Sequence, residues 1–73
     1  MSHGRITRAV IACIENNEVN TKKFFAENPY TPELEKDLYE LRHRGYITLD
    51  EGDNRIVEFA ATKKLLDFVK ANR

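Results

Sequence analysis

The chain has a single cysteine, Cys13, so no internal disulfide can close, and a lone thiol fits a reducing compartment. It has no net charge: twelve basic residues balance twelve acidic ones, so the strong positive field of a dedicated nucleic-acid binder is missing from the total, and any basic patch must come from arrangement. No apolar run approaches membrane-spanning length, and no apolar segment before a small-residue cleavage site marks a secretory leader. The expectation is a cytoplasmic protein without membrane contact. There is no Gly-rich phosphate loop, no second cysteine, no Ser/His/Asp set and no paired-carboxylate arrangement, while His3 and His43 lie far apart. Neither an enzyme nor a metal or cofactor site is expected, and a domain this small lacks the usual enclosed pocket.

What is present suits one soluble α+β domain over residues 1–73, with Met1–Gly4 small, polar and expected to fray. The hydrophobic fraction of 41% belongs to a globular chain rather than a disordered one. A chain of this size buries only ~60% of its unfolded surface, so it must be well packed or dimeric. No repeat, linker or low-complexity segment divides it.

The organising stretch is Thr31 to Thr62. Thr31 is suited to cap a helix with Pro32 at its first position, where the missing N–H costs nothing, and Glu33 and Glu35 suit the positive end of the helix dipole. Leu34, Leu38 and Leu41 form one stripe; Arg42 and Arg44 fall in the last turn, and Gly45 can take the left-handed cap conformation. After Gly45 the period changes to alternation. Tyr46–Asp50 and Arg55–Phe59 read as two strands joined by the polar loop Glu51–Asn54, with Ile47 and Leu49 on one face of the first strand and Val57 and Phe59 on one face of the second. Thr62 then caps a helix over Lys63–Ala71. Its Leu65, Leu66, Phe68 and Val69 cover a broad arc, part for the core and part for a possible homodimer contact.

Ahead of this stretch, Ile6, Ala9, Val10, Cys13 and Ile14 recur at helical spacing and predict a helix from about Arg5 to Glu15. Cys13 lies on its apolar stripe and reads as a buried small hydrophobe. Val19 is read as a one-residue strand stub completing the sheet. Asn20 caps a short helix, Thr21–Glu27, with Phe24 and Phe25 inward and Lys22 and Lys23 exposed, and Asn28-Pro29-Tyr30 ends it because the residue before proline is pushed out of helical space. Helix, turn, helix, hairpin, helix is the pattern of a winged-helix domain.

From Leu41 onward the chain resembles the wing of MarR-type transcriptional regulators: Leu41, Gly45, the pair Tyr46 and Ile47, Asp53 and Arg55 at the wing tip, and Thr62 as the next cap. That resemblance covers about 22 residues and implies a DNA-binding regulator in which Arg55 reaches the minor groove and Asp53 braces it. Ala61 stands where the family usually has leucine, and the family's long flanking helices have no counterpart in this length of chain. The helix ELEKDLYELRHRGYI is also similar to the recognition helix of Zα domains, with Tyr39 at the contact tyrosine, Lys36 and Arg44 at basic positions, and Glu35 in place of the essential asparagine.

A duplex-DNA reading therefore names Lys22, Lys23, Lys36, Tyr39, His43, Arg44 and Arg55 as contacts, with Arg42 alongside, helix 31–44 in the major groove and the 50–55 wing on the minor groove. The alternative is a protein-interaction module of the same fold, using Glu33, Glu40 or the 63–71 helix. Its warrant is that Glu33, Glu35, Asp37 and Glu40 share the third helix and would repel phosphate, while neighbouring bases can be satisfied by ordinary i±4 pairing.

Overall fold

A computed structural model describes residues 2–72, with side chains from Gly4 onward; the residue at position 1 of the expected frayed segment lies outside the described residues. The chain folds as α1 (Ser2–Ala12), β1 (Ile14–Glu15), β2 (Glu18–Val19), α2 (Thr21–Glu27), α3 (Pro32–His43), β3 (Ile47–Gly52), β4 (Arg55–Ala61) and α4 (Lys63–Ala71). This is an α+β architecture of four helices and two antiparallel hairpins, β1–β2 and β3–β4.

The caps fall where side-chain chemistry puts them. Asn20, Thr31 and Thr62 each accept a hydrogen bond from the backbone N–H three residues on, satisfying a donor that the first helical turn leaves open. At the end of α3, Gly45 takes φ +83°, the Gly45 N–H reaches Arg42 O at 2.9 Å and the Tyr46 N–H reaches Leu41 O at 3.0 Å. That pair of bonds is a Schellman motif, which needs a residue without a Cβ penalty in the left-handed region.

Three expectations are corrected. The first helix starts earlier than Arg5 and stops at Ala12 rather than Glu15, because Asn16 and Asn17, at φ 54° and 66°, form a two-residue turn that brings Val19 back onto Ile14. Asparagine tolerates the left-handed region better than other non-glycine residues, so Asn-Asn drives a tight hairpin that competes with a further helical turn. Val19 accordingly pairs with Ile14 and does not extend the β3–β4 sheet. The edge of β4 is met instead by Thr21, whose hydroxyl donates to Phe59 O at 3.2 Å and accepts from the Phe59 N–H at 3.4 Å.

The third correction is in the long hairpin. Its turn is Asp53-Asn54, at φ 49° and 64°, and Gly52 belongs to the strand rather than the loop. Asp50 faces Glu58 and Glu51 faces Ile56, so Val57 has no partner across the ladder. This is a β-bulge, and the extra residue breaks the two-residue period. Ile56 and Phe59 are both buried while Val57 is 44% exposed, the reverse of the alternation expected for Val57.

The core joins every helix to the hairpin. Ile6, Val10 and Cys13 of α1 and its end, Phe24 of α2, Leu34, Leu38 and Leu41 of α3, Ile47, Ile56 and Phe59 of the hairpin, and Leu65 of α4 form one buried cluster, with no buried polar residue among those described. Phe24 meets Phe59 edge-on with ring centroids 5.0 Å apart, and Phe25 meets both of them. Such pairs add to the burial of apolar area because ring edges are electropositive and faces electronegative.

Candidate interaction face

The α3–hairpin face is built on a joint that the sequence does not announce. Tyr30, in the turn between α2 and α3, donates its hydroxyl to the Glu35 carboxylate and accepts the Ile56 N–H at 3.0 Å, so one side chain ties the turn, α3 and β4 together. The Arg55 guanidinium lies 4.6 Å above the Tyr30 ring. Burial, and after it the bond to Glu35, pushes the Tyr30 phenol above its ordinary 10.0. Tyr39 sits half-buried one turn along α3, its phenol raised first by burial and then by the Glu51 and Glu35 carboxylates. On the far side of Tyr39, Arg42 approaches Glu51 at 3.8 Å.

The residues named for DNA contact divide into two groups. Lys36 and His43 are exposed along α3, and Lys22 is exposed on α2; none of these three has an ion-pair partner among the described residues. Lys23 and Arg44 are exposed but lie 4.0 Å from Glu15 and Glu40 respectively, at the margin of ion pairing. Pairs this open and this long contribute ~0–1 kcal/mol. Arg55 is exposed at the start of β4 but rests on Tyr30 instead of extending from the tip. No ion pair joins it to Asp53, which takes positive φ in the hairpin turn. Glu35, in the position of the Zα asparagine, is already engaged by Tyr30.

Tyr30, Glu35 and Glu51 therefore matter to this face although sequence reasoning passed over the first and last. Their contacts span the turn, the helix and the hairpin, and no periodicity within one element reports such a meeting. An isolated tyrosine directly after Pro29 was the one available hint.

Charge is unevenly distributed along the chain. Residues 32–61, which hold α3 and the hairpin, contain eight Asp/Glu and four Lys/Arg; the remainder contains four Asp/Glu and eight Lys/Arg. The hairpin alone carries Asp50, Glu51, Asp53 and Glu58 against Arg55. Among the described residues no group of three or more His, Cys, Asp or Glu is placed to hold a metal ion, and no helix is long and apolar enough to cross a membrane. In comparisons with known proteins, no family model, curated protein or solved structure matches this chain.

Proposed function

We propose that the chain is a winged-helix domain, with α1–α3 as its helical core and the β3–β4 hairpin as its wing, and that the α3–hairpin face docks a protein. Support for the fold comes from the order of elements, the Asn20-to-Arg44 helix-turn-helix and the hairpin set against α3 by Tyr30. The observation carrying the docking role is the excess of eight carboxylates over four bases in residues 32–61. A duplex is bound by neutralising phosphates and releasing their counterions, and a segment with this balance works against both. The carboxylates instead suit a partner with exposed Lys and Arg, where electrostatic complementarity steers encounter and sets register.

The test pairs two measurements. In a mobility-shift assay at about 50 mM salt, the protein is expected to leave random duplex unshifted at concentrations of ~10 μM, where weak non-specific binders already bind. Affinity capture with the whole protein is expected to recover a stoichiometric protein partner, with capture lost in the Glu33→Lys/Glu51→Lys variant. A duplex shift that is lost on Arg55→Ala would overturn the reading.

That shift would instead establish the second reading, a DNA-binding regulator with α3 in the major groove and the wing on the minor groove. The observation favouring it is that Lys36 and His43 stand exposed on α3 without an ion-pair partner among the described residues, with Arg55 held on the wing by the Tyr30 ring. Affinity would then fall steeply as salt rises.

A further inference from the structure

We propose that the hairpin tip beyond the bulge, residues 51–57, is a flap that opens as a unit while the rest of the fold stays closed, and that Tyr30 clasps it shut against α3. The flap stands on its own geometry; only its consequence for the docking face rests on the docking reading above.

The two halves of the hairpin are fastened very differently. At the base, Ile47 and Phe59 are buried, the Thr21 hydroxyl answers both the N–H and the carbonyl of Phe59, and the Thr62 N–H reaches Tyr46 O at 3.0 Å. Beyond the bulge two ladder pairs remain, Glu51 with Ile56 and Gly52 with Arg55, closed by a turn whose Asp53 and Asn54 both take positive φ. Among residues 51–57 only Ile56 is buried. A two-stranded ribbon this short has little stability of its own, and the bulge interrupts the ladder that would tie it to the base.

Besides the Ile56 side chain, the tip is held from both strands. On β4 the Tyr30 hydroxyl, itself joined to Glu35 of α3, takes the Ile56 N–H at 3.0 Å, and the Tyr30 ring carries the Arg55 guanidinium at 4.6 Å. On β3 Glu51 meets Arg42 at 3.8 Å beside Tyr39, but that ion pair is open to solvent and adds little. Segments with few buried apolar contacts open at a lower free energy than the whole fold. Opening here draws Ile56 from the core, parts Glu51 from α3 and frees Arg55 from the ring. The closed flap joins α3 and the acidic hairpin in one face, and the open flap divides it.

Amide exchange followed by NMR on the full chain tests this. The Gly52 and Ile56 amides are expected to show matching protection factors, about tenfold or more below those of Leu38, Leu41 and Phe59. Urea at ~1 M should leave the first two nearly unchanged while lowering the other three, because flap opening exposes little surface. Val10→Ala, which loosens the core from α1, should quicken Leu38, Leu41 and Phe59 and leave Gly52 and Ile56 as they were. Tyr30→Phe should quicken Gly52 and Ile56 by the same factor, although the hydroxyl bonds only the Ile56 N–H. If urea or Val10→Ala acts on all five amides alike, the tip opens only with the whole fold and the proposal is overturned. A Tyr30→Phe effect confined to Ile56 overturns it too, since that marks no more than the loss of one N–H partner. The urea series uses the wild-type protein, so it decides the matter even where a variant does not fold. Each of these failures leaves the docking reading standing, which is decided by the capture and mobility-shift measurements.

Discussion

Tyr30 concentrates more of the tertiary structure in one side chain than any residue of the helical stripes. Its hydroxyl satisfies the Ile56 N–H and engages Glu35, and its ring carries Arg55. Tyr30→Phe keeps the ring but strands a partly buried N–H, so urea denaturation should show a loss of ~1–3 kcal/mol. Amide exchange at Ile56 should quicken. The same phenol sets an alkaline limit. Because its folded pKa is raised above 10.0, its contribution is present below that pH and is lost as pH climbs through the folded value. The urea midpoint should therefore drop above pH 10, and Tyr30→Phe should flatten part of that drop. Cys13, 1% exposed and with its thiol raised first by burial, should react with a thiol reagent only as fast as the protein opens, and freely in denaturant.

At the scale of elements, the joint between α3 and α4 and the bulge in β4 decide how the parts meet. Thr62 caps α4 through the Leu65 N–H and donates its hydroxyl to Gly45 O at 2.6 Å, while the Lys64 ammonium reaches Arg44 O at 2.7 Å. The carbonyls left open at the end of α3 are thus answered by the start of α4. Thr62→Ala removes a cap and a carbonyl partner together, and a loss of ~1–2 kcal/mol is expected from chemical denaturation. Deleting Val57 should cost less. It leaves Ile56 and Phe59 two residues apart, so an unbroken two-residue period keeps both facing the core, and a loss within about 1 kcal/mol is expected. A fall in the urea midpoint of the size expected for an emptied core site would show that the bulge does more than set the register.

Taken whole, the Cα radius of gyration of 11.4 Å is close to the ~11.2 Å that a compact domain of this length should have. One core links all four helices to the hairpin. What varies across the molecule is charge. The negative α3–hairpin segment and the positive α1 and α4 helices cancel in the sum, so a neutral total hid a polar arrangement. The composition correctly signalled that any basic footprint had to come from placement, and placement put carboxylates beside Lys23, Arg42 and Arg44.

The chain by itself determined the elements whose signals are local: α2, α3 and α4 with their Asn20, Thr31 and Thr62 caps, the leucine stripe and the glycine stop at Gly45. Each depends on residues within about five positions of one another, the reach of capping and helical periodicity. Tertiary structure alone decided the end of α1, the face presented by β4, the partner of Val19 and the engagement of Tyr30. Those outcomes depend on which backbone groups find partners across the fold. A one-residue shift in a strand or an aromatic contact 26 residues away leaves no periodic trace in the sequence.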